Sequence, residues 1–541
     1  MNLPKVLIVG GGSAGWMTAA YLNGALNHRG EQPRVEICLL ESPDIPRISV
    51  GEATIPSIRH LLAVCGIDEM AFMRATDATF KQSIKYVNWV HKDNSFYHHP
   101  FTSMRVKPID RAGDAWLKSD RSVPFMETCS AQPVLCELGL APRMLGQWDM
   151  GAPLNYAFHM NAQKFADYLR DFSVQRGVKH VLANVQQVQM KAEKQISSIV
   201  TDQAGEISAD LFVDCTGFKA LLVEKAMGVG FEDLSQWLLC DRAITMHVPY
   251  ETHYPGQVRP YTTATALSNG WVWDIPMQNQ RSVGYVHSSA FIDIEHAERE
   301  LRAYQGQGCD TLPTRVVNFK VGRRLQHWVG NCVAIGLSGG FIEPLESTGL
   351  YLSDLGAVLL AEHFPWREEM QEQAAARYNR IMQNRYYEIL DFINMHYCLT
   401  QRTDTEFWRE VQKPERINAR LAAKFEYWRN KPPSPQDYQD PAFWGGPKGL
   451  LSTNNVMIPP VDTGELWNHE SYECILYGMD FLRKEADIWF GQHRPAPQVH
   501  PAILMRLKMA SQKIPPHAYW LQQVLGMKEY KTTPTPEGWV C

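Results

Sequence analysis

The chain has 541 residues, 53 Lys and Arg against 58 Asp and Glu, a formal charge of −5, and 45% apolar, 21% charged and 11% aromatic residues. This composition builds a sizeable core, excludes global disorder, and offers neither the net charge nor the Lys/Arg block of a nucleic-acid footprint. The eleven cysteines include no C-x-x-C pair, which argues against a zinc site or a disulfide framework and for reduced thiols in a cytoplasmic protein; no run approaches the ~20 apolar residues that span a bilayer.

In chain order, Lys5–Val9 reads as a short buried strand, Gly10–Gly15 as a turn, Trp16–Leu26 as a helix and Val35–Leu40 as a second strand. Residues 57–90 read as helical and then extended. Residues 91–160 read as irregular and aromatic. A helix is predicted over Asn161–Val178, where Phe165, Tyr168, Leu169 and Phe172 fall at helical spacing. Strands over 180–215 end in Asp214-Cys215-Thr216-Gly217, a β-rich stretch covers 241–335, and one long amphipathic segment is expected from 350 to 396. Prolines and glycines mark 431–447 as a loop, and Tyr438, Phe443 and Trp444 make it a wrap rather than a free linker.

Gly10-Gly11-Gly12-Ser13-Ala14-Gly15 satisfies G-x-G-x-x-G between a strand and a helix. Gly10 permits the tight turn, Gly12 lets backbone approach a pyrophosphate, and Gly15 lets helix and strand pack closely. The helix N-terminus offers free N–H groups and the positive dipole end to the phosphates. Glu41, closing the second strand, is placed for ribose hydroxyls. The motif does not choose between NAD and FAD, and strand-Asp-x-x-Gly at Asp214 is by itself also an ordinary turn.

Four segments carry a resemblance: Trp16 directly after the glycine turn; Gly51-Glu52-Ala53-Thr54-Ile55-Pro56; Trp271-Val272-Trp273-Asp274-Ile275-Pro276; and Phe341-Ile342-Glu343-Pro344-Leu345-Glu346-Ser347-Thr348-Gly349. Together they closely resemble the flavin-dependent halogenases of the tryptophan-halogenase family. Phe96-Tyr97-His98, Val321-Gly322-Arg323 and Arg402-Thr403-Asp404-Thr405 extend the likeness over most of the chain, thinning after about residue 430.

The resemblance implies an α/β fold: an FAD-binding, Rossmann-like core of the GR2 or hydroxylase-like kind over 1–350 with an interleaved β-rich substrate portion, and a mainly helical, substrate-covering subdomain over 351–541. It implies FADH2 from a separate NAD(P)H-dependent flavin reductase, dioxygen, and a halide, chloride or bromide, oxidised to hypohalous acid. It carries catalysis to Lys81 and Glu346 and the halide to Thr348 and Gly349. The flavin falls to Gly10, Gly12, Ser13, Ala14, Gly15, Trp16, Glu41, Ser42, Ile45, Ala53, Val185, Leu337 and Leu350. His98 and Trp467 are the substrate candidates, and no metal is implied. The substrate is a small aromatic; nucleic acid and membrane are not partners, and the oligomeric state stays open, a homodimer included.

The residue types suit that chemistry. An amine can hydrogen-bond hypohalous acid or take its halogen as a haloamine, and a carboxylate can accept the proton of a cationic ring. Taken cold, Lys81 is one lysine among many with Lys85 as competitor, Glu346 could partner Arg323, and Ser347-Thr348-Gly349 could be an ordinary helix cap. Trp271 and Trp273 alternate on a strand and read as structural. A single-component flavin monooxygenase and a non-catalytic flavoprotein are the competing classes. Residues that would hold the amino-acid part of tryptophan are expected around Asn454–Trp467, where only Trp467 finds a counterpart; the stacking phenylalanine after His98 reads as replaced near Pro100. An indole-type ring without the amino-acid handle is therefore the expected substrate.

Overall fold

The computed structural model describes residues 3–28, 32–47, 50–102, 112–146, 154–306, 308–434, 466–482, 499 and 501–533. Residues 435–447 and 454–465, read above as a wrap and as a substrate segment, lie outside the described residues. The chain divides into two units, each assembled from three segments: 1–79, 157–235 and 318–386, and 80–156, 236–317 and 387–541. This differs from a cut at residue 350, which would pass through the helix Gly349–Glu362.

The first unit is organised by a six-stranded sheet. Lys5–Val9 lies parallel to Glu36–Glu41 on one side and to Leu211–Asp214 on the other, with Lys179–Leu182 and Cys332–Ala334 outside them. Both faces of the central strands are covered, so they read as unbroken β-branched runs and not as an alternation. One face packs on Ala220, Leu222, Val223 and Ile199, all without solvent exposure. The helix Ser13–Leu22 follows the glycine turn and closes with a wider π-helical turn over Asn23–Asn27, so the predicted helix is present with a changed last turn. Helix Ala162–Gln175 begins where Asn161 accepts a hydrogen bond from the Lys164 amide at 3.0 Å, and buries Phe165, Ala166 and Leu169.

The expected 350–396 helix is two helices, Gly349–Glu362 and Gln371–Cys398. Pro365 explains the break, since it removes a donor and restricts the residue before it.

The second unit is organised by a seven-stranded sheet in the order Thr314–Asn318, Arg242–Pro249, Gln280–His287, Gly270–Pro276, Thr262–Ala266, Ser83–Val87, Phe96–Pro100. Its pairs are antiparallel except Thr262–Ala266 with Ser83–Val87. Trp271 and Trp273 share a face, ring centroids 6.3 Å apart. Trp273 lies over Gly284, where a Cβ would come within 2.1 Å of the indole. Helix Ile294–Gln305 covers the other end of the sheet through Ala297 and Leu301.

Close approach at the glycine turn sets a stability prediction. A Cβ on Gly15 would sit 1.9 Å from the Gly10 carbonyl oxygen, which is backbone and cannot swing away. Gly15→Ala should therefore lower unfolding free energy by about 1–3 kcal/mol or more, read by denaturant titration of the flavin-free protein. Unchanged stability would mean the helix can slide off the strand.

Candidate active site

In the first unit the glycine turn is built by the three parallel strands. The Gly10 amide donates to the Leu40 carbonyl at 2.8 Å and the Cys215 amide to the Val9 carbonyl at 2.8 Å. Gly10 has φ +117°, and a Cβ there would meet the Cys215 carbonyl oxygen at 2.2 Å. Asp214 is fully buried and structural: one carboxylate oxygen accepts from the Thr216 amide and hydroxyl, the other from the Leu222 and Val223 amides. Its own carbonyl accepts from the Ile335 amide at 3.0 Å, which brings residues 335–338 beside the turn. Gly336 allows that approach, as a Cβ would lie 2.6 Å from the Ala14 side chain. Leu337 follows Gly336 in that stretch.

Glu41 folds against Gly11 and is held twice. Arg47 Nε and an Arg47 terminal nitrogen donate to one carboxylate oxygen at 3.0 and 2.6 Å, and His180 Nε2 lies 3.0 Å from the other. Ser42 bonds Asn184, and the Ala183 amide donates to the Glu41 carbonyl, so Glu41–Ser42 and Val185 are neighbours. Ile45 is exposed, and Ala53 is buried in the strand Gly51–Ala53, which pairs with Ala157–Asn161. Trp16 is fully buried, edge-on to His180, and its Nε1 meets no acceptor among the described residues.

The segment carrying Glu346 turns sharply. Ser347 has φ +60°, a left-handed conformation that side chains rarely adopt, and its amide closes the turn onto the Pro344 carbonyl at 2.9 Å. Glu346 is 2% exposed. The helix Gly349–Glu362 starts next, its first intrahelical bond running from the Leu352 amide to the Thr348 carbonyl. Thr348 does not cap it: the buried hydroxyl makes no hydrogen bond among the described residues. The opening amides thus precede the ladder, at the positive end of the helix dipole, with open space beside Gly349. Leu350 is buried. Arg323 pairs with Glu232 at 2.8 Å. Further along the same helix, Asp354 is 4% exposed; Ser57 donates to it, and burial pushes its carboxyl up to about 7.

In the second unit Lys81 has no exposed surface, and the Phe101 ring lies 5.2 Å from its Nζ. The Phe101 amide donates to the Gln82 carbonyl at 3.0 Å, fixing that ring beside the lysine. Gln82 is itself anchored: its amide donates to the Pro260 carbonyl at 2.7 Å, its side-chain nitrogen to the Leu140 carbonyl at 2.7 Å, and its side-chain oxygen accepts from Gln132 at 3.2 Å. Lys85 is paired with Glu137 at 2.9 Å.

One substrate expectation needs correction. His98 faces Ser83 and Glu137, each 2.9 Å from one of its ring nitrogens, so it is committed within the protein. Strand alternation instead puts its neighbour His99 on the opposite face. There His99 lies 5.7 Å from Phe392, which stacks on Trp467 at 4.0 Å and 8°. A phenylalanine, Phe101, stands one residue after Pro100 and lies beside Lys81. Lys81 and Glu346 fall in different units.

A parallel sheet with a glycine turn at its strand ends defines a dinucleotide-binding α/β protein of the oxidoreductase type. The tryptophan halogenase family model matches residues 5–493. The chain is 36% identical over 505 residues to tryptophan 7-halogenase RebH of Lentzea aerocolonigenes, covering 89% of this chain and 90% of that protein. Its fold matches the crystal structure of a tryptophan halogenase from Shewanella frigidimarina NCIMB 400, with TM-score 0.86, 33% identity, and 97% and 98% of the two chains covered. It also matches BrvH, a flavin-dependent halogenase from Brevundimonas sp. BAL3, with TM-score 0.78, 31% identity, and 97% and 99% covered. The chain belongs to the tryptophan halogenase family, and is an enzyme of flavin-dependent halogenation.

The first unit fits a flavin dinucleotide. A Cβ on Gly12 would meet nothing within 4 Å, whereas its glycine neighbours are filled by protein, so that position is the open floor for a pyrophosphate. The orphaned Trp16 Nε1 and Thr348 hydroxyl are buried polar atoms awaiting partners. The described residues contain no group of acidic, Cys and His side chains that could hold a metal, and no helix long and apolar enough to cross a membrane; their ten cysteines are free thiols.

Gly12→Ala should leave thermal stability within about 0.5 kcal/mol of wild type, the range of substitutions into open space. It should nevertheless weaken FAD binding in a fluorescence titration, because the methyl occupies the cradle. Asp354 makes a pH prediction. Its folded value near 7, against the usual 3.8, means stability is lost as pH rises from about 4 to 7 and stays level above. Asp354→Asn should remove that fall, on the order of a few kcal/mol, so the melting-temperature gap between variant and wild type widens from pH 5 to pH 8.

Proposed function

We propose that the chain uses reduced FAD, dioxygen and a halide to halogenate an electron-rich, indole-type ring, with Lys81 and Glu346 as catalytic residues. The observation that carries this reading is the complete burial of Lys81 beside the Phe101 ring. Lysine is almost never fully buried unless it is paired. The other two fully buried lysines among the described residues, Lys85 and Lys424, are held by Glu137 and Asp391, while Lys81 lies against an aromatic ring. A separate NAD(P)H-dependent flavin reductase is the proposed source of reduced flavin. Reduced flavin, when bound at Gly10–Trp16, Glu41–Ile45, Ala53, Val185, Leu337 and Leu350, supplies the two electrons that activate dioxygen.

The chain's own groups do the rest. The amides at Thr348 and Gly349 hold the halide where a helix N-terminus favours an anion. Lys81 Nζ keeps hypohalous acid in place, by hydrogen bond or by taking the halogen to nitrogen, so that a diffusible oxidant meets one ring carbon. The O–X bond of hypohalous acid and the aryl C–H bond break as the C–X bond forms; Glu346 accepts the ring proton and passes it to the departing hydroxide, which leaves as water. Phe101 and Trp467 offer flat faces to the ring.

RebH is named a tryptophan halogenase, while residues 454–465 of this chain lack convincing counterparts for an amino-acid anchor. Each missing hydrogen-bond partner for a zwitterion costs about 1–3 kcal/mol, so free tryptophan should turn over more slowly than free indole. Bromide should serve at least as well as chloride. Faster, single-position conversion of tryptophan would overturn the substrate reading; an oxygenated product would indicate a monooxygenase.

Lys81→Ala should keep flavin oxidation and hypohalous acid release while losing substitution by roughly 100-fold or more with a scavenger present. Lys81→Arg should fail likewise, because a guanidinium stays protonated. Glu346→Gln should slow halogenation by about 10²-fold with the fold retained, measured by product formation and circular dichroism. Wild-type rates in any of the three would remove the assigned role.

A further inference from the structure

We propose that His98 is a positioning residue for Lys81: the chain Lys85–Glu137–His98–Ser83 clamps the corner that sets Lys81 against Phe101. The proposal rests on the reading of Lys81 given above. In the strand pair, Ser83 lies opposite Pro100 and Lys85 opposite His98, so Ser83, Lys85 and His98 share the face away from His99. Glu137, at the end of the helix Gln132–Glu137, meets them there.

Lys85 donates to one Glu137 oxygen at 2.9 Å, and His98 Nε2 lies 2.9 Å from the other. Burial keeps the imidazole neutral, its affinity for a second proton lowered further by the Lys85 charge. Glu137 stays a carboxylate: hydrogen bonds from His98 and Lys85 bring it down to about 2 in spite of its burial. An ionised carboxylate only accepts, so Nε2 carries the proton and donates, and Nδ1 is left to accept from the Ser83 hydroxyl at 2.9 Å.

That last bond falls between two bonded positions of the ladder. Ser83 and Pro100 face each other where neither backbone donates across the pair, one residue from the bond of the Phe101 amide to the Gln82 carbonyl. The side-chain clamp supplies a cross-strand tie at that point, and Lys81-Gln82-Ser83 and Pro100-Phe101 are fixed together. Substitution by hypohalous acid is proton-balanced, the ring proton leaving with hydroxide as water. The network therefore has no proton to conduct for the net reaction, and position is the property it supplies.

The test is the coupling ratio, halogenated product formed per reduced flavin consumed, with released oxidant captured by a 1,3-diketone trap, using bromide and indole. His98→Phe keeps a flat ring and loses both bonds. It should lower the coupling ratio about tenfold, with flavin oxidation and total oxidant unchanged. His98→Gln, which retains one acceptor and one donor, should recover most of the ratio, and Ser83→Ala should lower it with His98–Glu137 intact. Wild-type coupling in His98→Phe, or a Gln variant as uncoupled as the Phe variant, would overturn the proposal. Lys81→Ala run beside them separates the two readings. If it couples as well as wild type, the role of Lys81 fails and this proposal with it; if it is uncoupled while His98→Phe is not, only the present one fails.

Discussion

A lysine side chain with no access to water is the constraint around which the second unit is arranged. Lys81 cannot be solvated, so the backbone on either side of it must be immobile and every neighbouring polar group must find a partner within the protein. Gln82 and Gln132, both fully buried, tie the corner to Leu140, Asn155 and Pro260, three different stretches of backbone. A lysine on a looser corner would snorkel to the surface, taking its Nζ away from Phe101. The packing of Phe80 under the corner, edge-on to Tyr156 and Trp520, serves the same end by filling the space into which the strand could otherwise slip.

The first unit solves a different problem, that of keeping room open. Around its glycine turn most positions are so tightly closed that a methyl group would strike backbone, yet Gly12 and Gly349 face empty space. Buried polar atoms with no partner among the described residues include, in this unit, Trp16 Nε1, the Thr348 hydroxyl and one Asp354 oxygen. Groups left unmet in this way are open to a bound guest that brings acceptors and donors with it. Asp354 shows the cost: an apolar residue there would hold the helix as well without a carboxyl forced up toward neutrality.

What the sequence made legible was local. The strand–turn–helix–strand start, Glu41 at a strand end and the short segment holding Glu346 to Gly349 all lie within a few residues of one another, and their chemistry is written in residue types at fixed spacing. Less legible was anything decided by parity or by distance along the chain. His98 and His99 are the same residue type on opposite faces of a strand, and only the pairing partner tells them apart. Glu137 and Gln132 act on residues 39 to 52 positions upstream, through contacts no motif announces. The break at Pro365 was visible in the sequence, but the apolar spacing on both sides of it reads as one helix because the period resumes in phase.

The threading of both units through three separated segments has a consequence for how the molecule is made. Strand Lys5–Val9, the centre of the parallel sheet, emerges almost first, but its neighbour Leu211–Asp214 lies some 200 residues later. A ribosome adding about 5–20 residues per second leaves that edge open for roughly 10–40 s. Beyond Lys5 the edge is apolar on both faces, which is the kind of surface that pairs with another nascent chain. Slower initiation or lower temperature during expression, which thins the crowd of half-made copies, should therefore raise soluble yield more than any single surface substitution. A chain stopped before residue 386 contains neither unit whole.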